Sequence, residues 1–436
     1  MAEFEEARSR PRAAAAQLRN VFEERESNVR SYCRAFPAVF STAKGARLVD
    51  DQGHTYIDFL AGAGALNFGH NHETIKRALV DYIIEDGLTH GLDLHTTAKA
   101  RFLRTFEDEI LNPRGLDYRV QFTGPTGANA VEAALKVARR ATGRDGIFSF
   151  MGGYHGHSLG ALAVTANRDH RAAAGTALPG VTFFPYPGPH APFDTLNYLA
   201  SVLHDTHSGI DLPAAIIVET VQAEGGIVVA PVEWLRRLRS LCDDYGIVLI
   251  ADEIQSGCGR TGPFFSFERA GIVPDVVTVS KSISGYGLPM ALTLIKPEFD
   301  RLEPGEHTGT FRGNQLAFIA GATALELYNA EGIEARVAAQ ARVISAALDR
   351  TILSLDTRLE SRGLGMIWGV DTAGIDPSGA LAETISKQCF TDGLIIERCG
   401  RSDTVLKILP PLTIAASELE EGLTILAAAC GSSLSS

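Results

Sequence analysis

The chain has 436 residues, 45% of them apolar and 21% charged, proportions of a globular protein that exclude collagenous, coiled-coil and disordered classes. At roughly 150 residues per domain, the length allows two or three domains. Forty Lys and Arg against 52 Asp and Glu give a net charge of −12, which repels phosphate backbones and anionic lipid and argues against nucleic-acid or membrane-surface roles.

The first thirty residues carry six arginines and six glutamates without an apolar stretch, so they read as a solvated helical tail and not as a targeting signal. From Ala38 to Phe59, two strand-like runs flank a polar turn at Asp50, Asp51 and Gly53, a small β unit. Helical patterns then alternate with short apolar runs: VQF at 120, IFSF at 147, AAIIVE at 214, IVLIADE at 247 and DVVTVS at 275. Such strands between helices, the latter expected over 128–140 and 232–244, are what a parallel sheet covered on both faces requires. After Leu327 come a helix to about Leu355, strand-like MIWGV at 366, a helix near 380–390, IIERC at 395 and VLKILPPL at 405. The expected division is an N-terminal segment 1–60 belonging to a small domain, a large α/β domain 61–328, and a C-terminal α+β domain 329–436. No apolar run approaches the roughly eighteen residues that span a bilayer. Six cysteines without any Cys-x-x-Cys spacing favour reduced thiols and a cytoplasmic location.

Chemistry concentrates at strand ends. IVLIADEIQ closes an apolar strand with Asp252 and Glu253, and open α/β sheets place ligands at the carboxyl ends of their strands. A nucleotide-hydrolysing strand would end similarly, but its Gly-Lys phosphate loop has no counterpart here; a plain capping carboxylate is the bland alternative. The next strand, in VPDVVTVSKSISGYGLP, delivers Lys281 to its exit. A strand-end Asp followed about thirty residues later by a strand-end Lys is the spacing of a pyridoxal phosphate site: the lysine links to the cofactor and the aspartate pairs with the protonated pyridine nitrogen. A phosphate site fits the turn-to-helix sequence FTGPTGANAVEAALKVARR, with Thr126, Gly127 and Ala128 at the helix start. GGYHGHS offers Tyr154 as a stacking ring beside His155; a metal site on His155 and His157 would lack an acidic ligand at suitable spacing.

Five segments in order, TGPTGANAVEAALKVAR at 123, ETVQAEGG at 219, ADEIQSGCGRTG at 251, SKSISGYGLP at 280 and HTGTFRGNQLA at 307, resemble the class III pyridoxal phosphate aminotransferases, from about Glu24 to Leu426. Within that class, GPTGANAVEAALKVAR, ETVQAEGG, GTFRGNQLAF and the segment from Glu26 to His72 look like the diaminobutyrate–2-oxoglutarate branch of ectoine and siderophore biosynthesis. The resemblance implies fold type I: a large domain with a mostly parallel sheet sandwiched by helices, and a smaller α+β domain. It implies Lys281 as the cofactor-linked lysine and Asp252 as the pyridine partner. Gln255 would lie near the phenolic oxygen, Ile254 beneath the ring, and Tyr154 and His155 on its other side. Thr126, Gly127 and Ala128 would hold the phosphate, joined by Thr310 from the second subunit of a homodimer. Glu219 and Glu224 would flank the site. Many members of the class carry arginine where this chain has His157 and Lys407; the diaminobutyrate branch is similar in carrying lysine at the latter. Lysine offers a point charge in place of a planar fork.

The expected activity is transfer of an amino group between L-glutamate/2-oxoglutarate and L-aspartate 4-semialdehyde/L-2,4-diaminobutyrate, in a ping-pong reaction with Glu224 and Lys407 as a gate. The alternatives are another class III ω-aminotransferase acting on GABA, ornithine or a further diamine, and a pyridoxal phosphate racemase, aminomutase or decarboxylase using the same Lys and Asp.

Overall fold

The computed structural model describes residues 21–435. Of the expected helical tail, residues 21–25 are helical; the rest lies outside the described residues. Three short strands follow, β1 (Phe40–Lys44), β2 (Arg47–Asp50) and β3 (Thr55–Asp58). The two runs read from the sequence are thus three. Gly45, at φ +58°, opens a turn inside the first run that a side chain would strain, while the polar turn at 50–53 falls between β2 and β3 as expected.

The central sheet takes β4 (Arg119–Phe122), β5 (Ile147–Phe150), β6 (Val181–Phe184) and β7 (Ala215–Val218). A two-stranded ribbon, β8 (Val221–Gln222) and β9 (Val228–Val229), interrupts the series before β10 (Val248–Asp252), β11 (Val276–Val279) and β12 (Leu292–Ile295). The order is β4-β12-β11-β10-β7-β5-β6, and only β12 runs against its neighbours. The alternating residues of one strand explain the unbroken apolar runs. Val248 and Ile250 pack on one face with Val131, Leu135 and Ala138. Leu249 and Ala251 join the main core on the other. Burying such a side chain fully contributes about 1.5–3 kcal/mol, so polar residues survive here only where something satisfies them.

Helices cover both faces. α1 (Glu73–Ile84) and α2 (Thr97–Phe106) precede the sheet; α3 (Gly127–Thr142) follows β4 and α4 (Val232–Tyr245) precedes β10, each within two residues of the expected ends. The helix expected after Leu327 is α6 (Ile333–Ala347), continued by a wider turn over Leu348–Ile352; α5 (Gln315–Ala330) precedes it, and Gly332 at φ +59° separates the two. α5 packs on α1 and α2.

Beyond it, β13 (Glu360–Leu364) and β14 (Ile367–Asp371) precede α7 (Ala380–Thr391), then come β15 (Leu394–Ile395), β16 (Glu397–Cys399), β17 (Val405–Ile408) and α8 (Ala416–Ser435). IIERC, read as one strand, serves two sheets. β15 pairs parallel to β3, and β16 pairs with β17 in the sheet β13-β14-β17-β16. Among the described residues, no helix is long and apolar enough to cross a membrane.

Candidate active site

Because β4, β5, β7, β10 and β11 are parallel, their carboxyl ends share one edge of the sheet. Thr126, Tyr154, Glu219, Asp252 and Lys281 leave the sheet there, so residues far apart in sequence converge where such folds hold ligands.

Asp252 ends β10 and is 4% exposed. Its Oδ2 lies 2.7 Å from His155 Nδ1, and its Oδ1 accepts from Thr278 Oγ1 and from the Ile254 N–H, both at 3.1 Å. Burial opposes a charge on His155, but the Asp252 carboxylate beside it raises the imidazole pKa above its ordinary value. Thr278 is directly opposite Asp252 in the register of β10 and β11. The sequence reading passed over it, although a lone hydroxyl in the run VVTV was a visible signal. Glu219 is also buried; it accepts the Tyr154 N–H at 2.9 Å, and burial pushes its pKa up to about 7.

Lys281 follows β11 by two residues and holds φ +53°, a left-handed conformation costing about 1–3 kcal/mol for a side chain of its size. Its neighbours fix it: Ser280 Oγ donates to Met290 O at 2.9 Å and Ser282 Oγ to Gly64 O at 2.7 Å. Burial pulls the Lys281 pKa below that of a free lysine, only partly offset by Glu224, which favours the neutral nucleophilic amine. Among the described residues no hydrogen bond or ion pair engages its ammonium.

α3 begins with Thr126 as its cap, the Oγ1 accepting from Asn129 N–H at 3.3 Å. The N–H groups of Gly127 and Ala128 have no acceptor among the described residues, as helix starts leave them. A Cβ at Gly127 would meet Ile254 Cδ1 at 2.9 Å, and one at Gly156 would come within 3.0 Å of the Ala128 backbone. These glycines bring Ile254 and the Tyr154 loop close to the helix start. Gln255 Nε2 donates to Ala63 O at 3.0 Å and to Glu224 Oε1 at 3.3 Å, while its Oε1 is buried with no partner.

These features fit pyridoxal phosphate. A free buried-edge amine, an open helix N-terminus, a carboxylate backed by an imidazole and an orphaned amide oxygen correspond to its aldehyde, phosphate, pyridine nitrogen and ring hydroxyl.

Lys407 is fully buried on β17, its Nζ 2.6 Å from Glu224 Oε1 and 2.9 Å from Glu397 Oε1. Burial would lower its pKa, but the two carboxylates raise it well above that of a free lysine. Glu224 sits below its ordinary pKa, where Lys407 and Lys281 overcome burial, and Glu397 sits above, where burial wins. Sequence reading paired Glu224 with Lys407 and missed Glu397, which gives no motif signal.

Two expected residues stand apart. His157 is exposed, its ring 4.7 Å from that of His170 and 5.5 Å from that of Tyr154. Thr310 is exposed on the loop before α5 and takes no part in these contacts. A cleft of about 340 Å³ beside β4, lined by Arg119, Gln121, Asp300 and His307, contains none of the convergent residues. Among the described residues, no three His, Cys, Asp or Glu side chains gather as a metal site.

The family described as aminotransferase class-III matches residues 30–430. A diaminobutyrate–2-oxoglutarate transaminase of Nocardia farcinica is 54% identical over 415 residues, 94% of this chain and 93% of its own. One of Vibrio cholerae is 51% identical, covering 93% and 98%. An ornithine aminotransferase structure from Toxoplasma gondii, whose active site holds pyridoxal phosphate at partial occupancy, superposes with a TM-score of 0.84 at 25% identity, covering 98% and 99%. A convergent Lys and Asp on a fold of this type, matched along nearly its whole length, makes the chain a member of the class III aminotransferases, a pyridoxal phosphate-dependent transaminase.

Proposed function

We propose that the enzyme moves an amino group between L-glutamate/2-oxoglutarate and L-aspartate 4-semialdehyde/L-2,4-diaminobutyrate in a ping-pong reaction. The observation that carries this reading is the contact of buried Lys407 with Glu224 Oε1 at 2.6 Å, an oxygen that also accepts from Gln255 Nε2 at 3.3 Å. The relatives named as diaminobutyrate transaminases support it.

Pyridoxal phosphate, when bound, supplies a carbonyl that exchanges amines and a ring that takes up electrons. The Gly127 and Ala128 N–H groups and the Thr126 hydroxyl would hold its phosphate, Ile254 and Tyr154 would enclose its ring, and Asp252 would keep its ring nitrogen protonated. His155 and Thr278 hold the Asp252 carboxylate in place. Lys281 Nζ, as a neutral amine, would take a proton from the substrate carbon and return one. In glutamate the α-carboxylate adjoins the reacting carbon and needs a cation there; in diaminobutyrate, reacting through its fourth carbon, the carboxylate lies farther off. Lys407 serves the first when Glu224 moves aside and is neutralised by Glu224 for the second. We further propose a homodimer in which Thr310 of one chain reaches the phosphate held by the other. The described part of the N-terminal segment, residues 21–60, would pack with 329–435 as one small domain. Six free cysteines suit the reducing cytoplasm.

The test is turnover with 2-oxoglutarate as acceptor and L-2,4-diaminobutyrate, GABA or ornithine as donor. Diaminobutyrate should be best; a preference for GABA or ornithine would reject the substrate assignment, and amine loss without an acceptor would point to a decarboxylase or racemase.

A further inference from the structure

Lys407 has two carboxylate partners, and they are held differently. Glu397 is the direct cross-strand neighbour of Lys407, paired in the register of β16 and β17, and 8% exposed. Glu224 lies in the turn between β8 and β9, with its side chain 31% exposed. Its backbone is fixed, the carbonyl accepting the Gly400 N–H at 2.9 Å, so only the side chain is free to swing. One partner is built into a sheet and the other faces the site.

This asymmetry matters because lysine is a flexible chain ending in a point charge. If Glu224 were its only counter-ion, moving Glu224 aside would leave an unpaired buried ammonium, which costs several kcal/mol. The ammonium would also tend to follow the departing carboxylate. A second carboxylate on the adjacent strand removes both difficulties. The ammonium stays in its ion pair with Glu397, 2.9 Å from Oε1, while the hydrogen bond it gives Glu224 is exchanged for one to a substrate carboxylate.

We propose that Glu397 is a positioning residue that anchors Lys407 while Glu224 gives way, and that it thereby sets how well the enzyme accepts a dicarboxylic amino acid beside a diamine. The inference rests on the gate described above, and Glu397 acts through Lys407 without touching substrate.

Three proteins test it: the holoenzyme, Glu397→Gln and Lys407→Ala. Each is titrated with glutarate, an unreactive dicarboxylate, and its half-reactions with glutamate and with diaminobutyrate are followed in single turnover. Without this ion pair the buried ammonium loses its fixed partner, so Glu397→Gln should weaken glutarate about tenfold or more and raise the half-saturating glutamate concentration similarly, mostly sparing the maximal rate. The diaminobutyrate half-reaction should change far less. Should Glu397→Gln not fold, Glu397→Asp keeps the charge with shorter reach and should show the same split at smaller size. Equal losses for both donors, or unchanged glutarate binding, would overturn the anchor. If Lys407→Ala alone splits the donors, the gate stands and the anchor falls; if Lys407→Ala affects both donors equally, the gate itself falls.

Discussion

Asp252 accepts hydrogen bonds from Thr278 and the Ile254 N–H and faces His155, so its carboxylate is held while remaining aimed at the sheet edge. Asp252→Asn would present a neutral amide that no longer stabilises a ring proton. Removing one such electrostatic partner typically costs a hundredfold or so in rate, so single-turnover amine transfer should slow by about that factor or more while the variant still binds cofactor. Unchanged rates would point to another group at the ring nitrogen. The neighbouring Glu253 does different work: its carboxylate accepts the N–H groups of Ser266 and Phe267 at 2.9 and 3.0 Å, and burial pushes its pKa from 4.5 up to about 8. Between those values the folded state holds a proton that the unfolded chain releases, so this group's contribution to stability falls as pH rises through that window. Glu253→Gln resembles the protonated acid and keeps an acceptor. Relative to the parent it should therefore gain about 1 kcal/mol per pH unit between pH 5 and 8, read by denaturant unfolding. Parallel pH curves would contradict the assignment. Sequence alone marked both residues as a strand-end pair; which one serves the cofactor and which the fold emerges only from their partners.

At the scale of elements, the start of α3 is positioned by a close approach of the loop after β5. Gly156 has φ +131°, a region essentially reserved for glycine, and a Cβ there would meet Ala128 Cβ at 2.6 Å and its Cα at 3.0 Å. Gly156→Ala should therefore displace the helix start and weaken cofactor retention about tenfold, given roughly 1–3 kcal/mol of strain. Dialysis followed by absorbance of the bound cofactor measures it, and parent-like retention would show that the helix start does not depend on this contact. The parallel strands β5, β7, β10 and β11 were legible because both faces are buried and their apolar runs are unbroken. β12, also buried throughout, was not, since LTLI follows a Gly- and Pro-containing turn with no helix between. β13, ESRGL, was missed because its residues lie half-buried at a sheet edge, and such strands lack an apolar run. The division of IIERC between two sheets depends on the distant β3 and β17, which no local pattern encodes.

For the whole molecule, the site combines the carboxyl edge of the central sheet with Glu397 and Lys407 from the C-terminal sheet. The motifs named the first set and half of the second; partners contributed by distant segments leave little trace in sequence. Assembly extends the same logic. Thr310 is exposed and remote from these contacts within its own chain, so if it serves the neighbouring phosphate, Thr310→Ala should weaken cofactor retention about tenfold or more, a charge-assisted hydrogen bond being worth about 1.5–3 kcal/mol. Full activity at dilutions where light scattering shows only monomer would contradict a shared site. Of the half-buried Lys281 and the fully buried Lys407, only the first is assigned to react with the cofactor. Lys281 is free of partners beside Asp252, whereas Lys407 is locked between two carboxylates. Borohydride reduction of the holoenzyme followed by peptide mass mapping decides between them: the account predicts the cofactor fixed on Lys281, and its recovery on Lys407, or on any other lysine, would contradict it.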